Sequence, residues 1–507
     1  MKSLSVIALS TAAFIAFPTV ASAPLNYDDA RHLLNRTGFG ATDGEIRRMV
    51  GMTREEAARM LLAATRTTAV TAPPAWTNDA GPLRYPRRGE NASDMEKKQF
   101  QQEQIRDGLE LRGWWLQEML LTPSPLTERM TLFWHNHFVS SQQKVKLAQL
   151  MYRQNVTLRA HALGHFGDLL HAIARDPAMV IYLDGVQNRK GAPNENFARE
   201  LMELFTLGEG NYGEQDIKDA ARAFTGWSLD RDSGRFVFRR FVHDYGSKTV
   251  LGRSGYFDGD DVLDILLAKP QTAQFIAHKL WREFVSPDPD DAEVKKIASR
   301  FRDSRYDVKV ALYALLTSDA FYAKENRGAL VKSPVDLVVG TLKQFDLKPG
   351  EPVPFAVAAA AMGQNLFSPP NVKGWPGGDA WINASTLLAR KAFLDRLFRA
   401  DDAGGNVADA PARAMTPVPK QALAAGGVQE SEVARRIRFL RAMERGLKSV
   451  QFDSDAWLAQ LDTTERARTD AATRLLLAYA PQAAADPASA PLAMVRQMVL
   501  DAAYQLK

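Results

Sequence analysis

The chain has 507 residues, of which 46% are hydrophobic and 24% are charged, with a formal net charge of +5 and no cysteine. Without cysteine the protein has no disulfide, no thiol nucleophile and no thiolate-bound zinc, so any metal would take His, Asp, Glu or carbonyl ligands. The basic residues are interspersed with acidic ones instead of forming a strip, which argues against nucleic acid as the partner.

The first 23 residues have the pattern of a secretory signal peptide. Lys2 precedes an apolar run at 4–17, and small residues follow at 19–23. The apolar run is short for a bilayer span, and no charged stop-transfer segment follows it. We therefore expect a protein that is exported to the periplasm or secreted, with no membrane span in the mature chain. The alternatives are a buried first helix or a membrane anchor.

Helical spacing dominates the rest of the chain. Thr53 and Glu56 form a capping box, and Ser124 precedes a proline at the first position of a helix. Further helices are predicted at 147–163, 168–174, 197–207, 215–224, 261–267, 272–284, 308–316 and 335–342. We expect a mainly α fold, a multi-helix globular domain at 24–399.

Strand patterns are few. The run at 235–242 is rich in Phe and Val, and a turn at 232–234 would pair it with 227–229. The segment 248–251 is expected to be a further strand that pairs with this run. The stretch at 65–94 has the composition of an unstructured segment. An Ala/Gly/Pro-rich linker is predicted at 400–430, followed by a helical C-terminal segment at 431–507.

Acidic side chains are concentrated between residues 194 and 227, where seven carboxylates occur. On a helix that begins after Asn194 and ends at Gly208, Glu200 and Glu203 lie on one flank of the apolar stripe. Two carboxylates at this spacing suit a metal site or general acid–base catalysis. The alternative is a salt-bridged helix flank, and Glu195 with Arg199 is expected to form such a pair.

Histidines supply further candidates. His135 and His137, in WHNHF, are two apart and would point in different directions on a helix, so only an extended backbone would aim both at one ion. His161 and His165 with Asp168 have metal-ligand spacing, but two glycines indicate that the helix breaks between them. His243 and Asp244 follow the predicted strand. They suit either a site at the end of a hairpin or ordinary turn chemistry.

The segment at 365–383, NLFSPPNVKGWPGGDAWIN, holds two tryptophans among prolines and glycines. Such a segment suits either the lining of a ligand cleft or a strap across the core. The chain lacks a phosphate-binding loop with Lys-Ser/Thr, HExxH, GxSxG and CxxCH, which argues against ordinary nucleotide hydrolases, zincins, α/β-hydrolases and c-type cytochromes.

Several long motifs together resemble the bacterial DUF1800 family, a domain of unknown function. They are LLNRTGFGAT, LTERMTLFWHNHF, DPAMVIYLDG, NENFARELMELFTLG, AFTGW, VHDYGSKTVLG and LFSPPNVKGWPGG. The resemblance implies a large, mostly helical, exported bacterial protein. It also implies a link to a companion exported family that is similar to sulfatases and alkaline phosphatases, but it implies no reaction.

Two hypotheses of function follow. In the first, the protein is an enzyme whose cleft is lined by His137, Glu200, Glu203, His243 and Asp244, with His135, His137, Glu200 and Glu203 as ligands of a divalent metal ion. In the second, it is a non-enzymatic scaffold or binding partner of an exported sulfatase-like protein. The density of His and carboxylates in long motifs favours the first hypothesis, and the lack of a known catalytic signature favours the second.

Overall fold

A computed structural model describes residues 23–78, 93–230, 232–399, 441–447 and 449–507. The predicted signal peptide, apart from its last residue, lies outside the described residues. So do the predicted linker at 400–430 and a large part of the 65–94 stretch.

The described chain is mainly α, as predicted. Its α-helices in the first half are Tyr27–Thr37, Asp43–Met49, Arg54–Ala63, Asp94–Leu121, Pro125–His137, Gln142–Val145, Ala148–His161, Phe166–Ala174, Pro177–Tyr182, Asn196–Glu200 and Glu214–Ala223. Those of the second half are Gly259–Ala268, Pro270–Phe284, Asp291–Asp303, Val308–Leu316, Asp319–Tyr322, Pro334–Gln344, Val353–Ala361, Ala384–Leu397, Ser454–Ala459, Glu465–Leu476 and Pro491–Leu500. A π-helix occupies Leu201–Thr206. Short 3₁₀ turns lie at Ala75–Asn78, Gly185–Gln187, Arg240–Val242, Lys324–Asn326, Gly378–Trp381 and Ala502–Gln505.

Local signals fix many helix ends. The predicted capping box at Thr53 is present, because the Thr53 side chain accepts from the Glu56 N–H and Glu56 reaches back to the Thr53 backbone. The helix predicted to continue to residue 163 ends at His161. His165 then begins the next helix, and its Nδ1 lies 3.0 Å from the Arg305 carbonyl. His161 and His165 therefore do not share one unbroken helix.

The β structure of the described residues consists of two separate antiparallel hairpins. Strands β1 (Trp227–Leu229) and β2 (Phe236–Phe238) pair as predicted, with Trp227 opposite Phe238. Strand β3 (Lys248–Val250) pairs with β4 (Arg253–Gly255) instead of joining the first hairpin, so that part of the prediction was wrong. Leu251 and Gly252 both have positive φ, the backbone that a tight two-residue hairpin turn requires.

Three buried ion pairs, two of which share Asp336, lie among the described residues of the helical core. Arg159 and Glu128 are each 1% exposed, and Nε and Nη2 of Arg159 donate to the two Glu128 oxygens at 2.6 and 2.8 Å. Asp336 accepts from Arg129 and, at 2.8 Å, from Lys507 Nζ. Such pairs tie together elements that lie far apart in the chain, because loss of one partner would leave a buried charge unpaired.

The predicted C-terminal helices are present and pack on the preceding helices. Trp457 Nε1 donates to the Gln344 carbonyl at 2.9 Å, and Tyr504 hydrogen-bonds Thr341 at 2.9 Å. The last residues run beside Val331, which bridges Leu506. Among the described residues, no helix combines the length and apolar character needed to cross a bilayer.

Candidate functional site

Two of the long motifs meet at Asn136. Its Oδ1 accepts from the Trp375 N–H at 2.7 Å, and its Nδ2 donates to the Trp375 carbonyl at 3.3 Å. Gly374 has φ +84°, and a Cβ on it would lie 2.3 Å from Asn136 Oδ1. Trp375 and Trp381 are both buried. The segment at 365–383 is therefore held as a strap across the core, and the glycine is needed for the close approach.

The helix that carries the candidate carboxylates changes its winding at Leu201. The Leu207 N–H donates to the Met202 carbonyl at 2.9 Å, five residues back, and Thr206 Oγ1 donates to the Leu201 carbonyl at 2.6 Å. Gly208 ends the element with φ +80°, as predicted. Single π-turns inside helices are rare and often lie at functional sites. Glu200 is the last α-helical residue and Glu203 lies within the π-helix.

His137 and Lys279 bind the carbonyls at the end of this π-helix. His137 Nε2 lies 3.1 Å from the Phe205 carbonyl, and Lys279 Nζ donates to the Leu204 carbonyl at 3.1 Å and to His137 Nδ1 at 3.0 Å. Burial and the nearby Lys279 ammonium hold the pKa of His137 well below its usual value. The neutral ring therefore donates through Nε2 and accepts at Nδ1. Both nitrogens are engaged, so the structure gives His137 no free lone pair for a metal or a substrate proton.

His135 lies on another side of the same helix. Its ring packs against Trp115, Phe367 and Trp375, with centroids 5.4, 5.4 and 5.7 Å away. Burial lowers its pKa to about 3, and its Nε2 has no hydrogen-bond partner among the described residues. The two histidines thus diverge on a continuous helix, Pro125–His137, as their spacing indicated.

Glu200 and Glu203 differ in their partners. Glu200 is half-buried, and no hydrogen bond or ion pair engages it among the described residues. Burial and the neighbouring Glu203 raise its pKa, while Lys373 and Arg199 act in the opposite direction. Glu203, in contrast, accepts from the Tyr212 hydroxyl at 3.0 Å. Burial and this hydrogen bond raise the pKa of Tyr212 to about 12.

Other polar side chains surround this pair. Burial and then the charge of Glu200 raise the pKa of Tyr182, so Tyr182 lies within electrostatic range of Glu200. Lys373 extends from the strap and forms an exposed ion pair of 3.7 Å with Glu209. We call the set Glu200, Glu203, Tyr182, Tyr212 and Lys373 the carboxylate site. Three of the long motifs contribute residues to it, and a fourth supplies His137, which binds the end of the π-helix.

The flank of the same helix contains the predicted structural pair. Arg199 Nη2 lies 3.0 Å from Glu195 and 2.9 Å from Glu214, so the expected Glu195–Arg199 ion pair is present. Asp216 and Asp219, which follow on the next helix, accept from the backbone of Leu251 and Thr249 at 2.8 and 2.9 Å. Asp216 and Asp219 therefore anchor the second hairpin.

His243 and Asp244 serve the turn that holds them. His243 is buried, with Nδ1 2.7 Å from the Thr225 carbonyl and its ring against Tyr245. Arg222 Nε donates to Asp244 at 2.8 Å, and this bond holds the pKa of Asp244 at about 2. Asp244 also accepts from the Gly246 N–H at 2.8 Å, which is turn chemistry. No hydrogen bond or ion pair among the described residues joins His243 or Asp244 to Glu200 or Glu203.

The predicted metal ligands His135, His137, Glu200 and Glu203 are not brought together. Within the part of the chain that the structure describes, no group of three or more His, Asp or Glu residues is arranged to hold a metal ion. The physical reason is that buried backbone carbonyls and aromatic rings surround the histidines. The histidines are therefore no longer candidate site residues, and the candidate site consists of Glu200 and Glu203 with the neighbouring tyrosines.

Three residues at the site or bound to its π-helix were not predicted from the sequence: Tyr212, Tyr182 and Lys279. A signal existed for Lys279, since it lies among the buried residues Ile276, Ala277 and Leu280 on one helix. A lysine beside an apolar helix face either extends to solvent or has a buried acceptor. No comparable signal distinguishes the two tyrosines.

Comparisons with other proteins give one match. Residues 32–506 match the family described as "Protein of unknown function (DUF1800)", which covers nearly the whole chain. No curated protein and no solved structure matches significantly. On that coverage and on the motifs above, the chain belongs to the DUF1800 family.

Proposed function

We propose that the chain is an exported bacterial protein whose function centres on the carboxylate site, where Glu200 exchanges a proton with a bound polar substrate. The observation that carries the proposal is a half-buried carboxylate with a raised pKa, beside a second carboxylate, that has no hydrogen-bond or ion-pair partner among the described residues. Structural carboxylates are normally paired, and an unpaired one with a perturbed pKa is a candidate for chemistry.

The two carboxylates have different surroundings, which suits a division of roles. Glu200 is desolvated and repelled by Glu203, so it holds a proton more readily than an ordinary glutamate. Glu203 is oriented by the Tyr212 hydroxyl. Glu200 would then act as the general acid or base. The charge of Glu203 would favour the protonated form of Glu200, and Glu203 would also accept a hydrogen bond from the substrate. Lys373 would attract an anionic group at the edge of the site.

The export part of this proposal rests on the sequence alone. Residues 1–23 have the pattern of a secretory signal peptide.

A non-enzymatic scaffold is the second candidate, and a specific observation favours it. Most polar residues of the long motifs have structural bonds: Asn136 holds Trp375, His137 holds Phe205, and Asp244 holds Arg222. Motifs explained by internal bonds need no chemistry. In this alternative the chain supports a companion exported protein similar to sulfatases, and Glu200 is a solvated flank residue.

Thermal unfolding with ligands separates the candidates. The samples are the wild type, Glu200→Gln and the control Glu214→Gln, each with EDTA, with MnCl₂ or ZnCl₂, and with a panel of sugars, sugar phosphates and amino acids. A ligand that binds the native state raises the midpoint. The proposal expects at least one organic compound to stabilise the wild type and the control but not Glu200→Gln.

Each remaining outcome has a defined meaning. If only metal salts give this Glu200-dependent stabilisation, and EDTA reverses it, the carboxylate pair binds a divalent ion and the chemistry is metal-assisted. If no compound distinguishes Glu200→Gln from the wild type, the proposal fails and the scaffold is favoured.

A further inference from the structure

The first hairpin and the turn after it present an unusual exposed surface. Phe241 is 85% exposed, Tyr245 57% and Phe238 41%. The rings of Phe238 and Tyr245 both pack on His243, at 5.3 and 4.6 Å between centroids, so these two aromatic side chains share one support. We call Phe238, Phe241 and Tyr245 the aromatic patch. Single exposed apolar side chains are common, but a group of three aromatics with one of them fully projecting marks an interaction surface.

Cationic side chains border this patch. The Lys190 N–H donates to the Val242 carbonyl at 2.7 Å, which places the loop of Arg189 and Lys190 beside the turn of Arg240. Arg189, Lys190 and Arg240 are exposed, and none has an acidic partner among the described residues. Residues 186–193 and 235–247 contain five basic residues and one acid, Asp244. Arg222 pairs with that acid, so these two segments carry a net positive charge.

We propose that the aromatic patch docks the protein on an anionic phospholipid surface. A projecting phenylalanine can enter the boundary between headgroups and acyl chains, and tyrosine suits the headgroup level. Flanking arginine and lysine side chains attract acidic headgroups, each increasing partitioning about five-fold near such a surface. The combination of a projecting aromatic tip and unpaired cations fits a fluid anionic surface better than a flat protein partner, where so exposed a side chain would need a matching pocket. The proposal is independent of the carboxylate site.

The test is co-sedimentation of the full chain with vesicles of phosphatidylglycerol and phosphatidylcholine, and with vesicles of phosphatidylcholine alone. The wild type is compared with Phe241→Ser and Arg240→Glu. Met95→Ser is the matched control, because Met95 is 79% exposed, belongs to the helix Asp94–Leu121 outside the two basic segments, and is flanked by Asp94 and Glu96. All variants share the same N-terminus, so any binding by that segment cancels in the comparison.

We expect binding to the anionic vesicles to exceed binding to the neutral ones, and to weaken as salt is raised. Phe241→Ser and Arg240→Glu should each reduce partitioning at least five-fold, while Met95→Ser should not change it. Equal binding by Phe241→Ser and the wild type, or equal binding to both vesicle types, would overturn the proposal.

Two other occupants are also decided by experiment. Sedimentation velocity that shows a dimer in the wild type and a monomer in Phe241→Ser would assign the patch to a second copy of the chain and overturn the proposal. Vesicle binding abolished by soluble polyglutamate but unaffected by Phe241→Ser would assign only a nonspecific positive surface, which also contradicts it.

Discussion

The carboxyl group of Asp176 tests how burial changes a pKa, and with it the pH dependence of stability, in this fold. It begins the helix Pro177–Tyr182 and is 5% exposed. One oxygen, Oδ1, accepts from Gln154 Nε2 at 2.9 Å and from the N–H groups of Ala178 and Met179 at 3.0 and 3.2 Å. Burial raises its pKa to about 7 despite these bonds. Asp176→Asn can keep the Oδ1 acceptor and removes the charge.

The magnitude follows from proton linkage. An unfolded Asp176 has the ordinary pKa of 3.8, against about 7 when folded. Below both values the two states are protonated and the group costs nothing. As pH rises from 4 to 7 the unfolded state ionises first, so the native state loses stability, and above 7 the loss is complete. At 1.36 kcal/mol per pKa unit the full loss is about 4 kcal/mol, an upper limit because buried sites relax.

Urea denaturation at several pH values measures this effect. We expect Asp176→Asn to be more stable than the wild type at pH 8.5, and the difference between them to grow by about 2–3 kcal/mol from pH 5 to pH 8.5. The matched control is Asp290→Asn, because Asp290 caps a helix through the same two positions but is solvent-exposed. If Asp176→Asn is less stable than the wild type at pH 8.5, or if the stability difference between them does not vary with pH, burial does not raise the pKa of Asp176 as stated.

Three further outcomes are expected. Glu128→Gln should lower the free energy of unfolding by about 3–5 kcal/mol, because Arg159 would remain buried without its counter-ion, and a loss below about 1 kcal/mol in urea denaturation would contradict this. Gly374→Ala should cost about 1–3 kcal/mol from backbone strain and the contact with Asn136, and should cost less in an Asn136→Ala background. Cell fractionation and N-terminal sequencing should find the chain outside the cytoplasm and cleaved near residue 23, and a cytoplasmic chain that begins at Met1 would refute the export proposal.

The helical architecture could be predicted because its determinants are local. Capping residues such as Thr53, the Glu195–Arg199 spacing and the glycine at 208 act over a few residues, and the structure contains all three features. The first hairpin followed from its turn and its Phe- and Val-rich strand. The second hairpin was assigned the wrong partner, because strand pairing at this length depends on the turn at Leu251 and Gly252 and not on the strand residues.

The site was predicted less well because its determinants are tertiary. The π-helix depends on Lys279 and His137, which lie 75 and 68 residues from the carbonyls that they bind. Sequence spacing cannot show that both nitrogens of His137 are engaged. It identified Glu200 and Glu203 as a pair. It could not show that the Tyr212 hydroxyl donates to Glu203 while Glu200 has no hydrogen-bond partner among the described residues.

A direct titration tests whether the pKa of Glu200 lies above that of an ordinary glutamate. Glutamate side-chain carboxyl carbons labelled with ¹³C are followed by NMR between pH 3 and pH 9, and Glu200→Gln assigns the signal. We predict that Glu200 titrates above the ordinary glutamate value of about 4.3, and that Glu203→Gln lowers its midpoint by removing the neighbouring charge. A Glu200 midpoint at or below the ordinary value, unchanged by Glu203→Gln, would contradict the account.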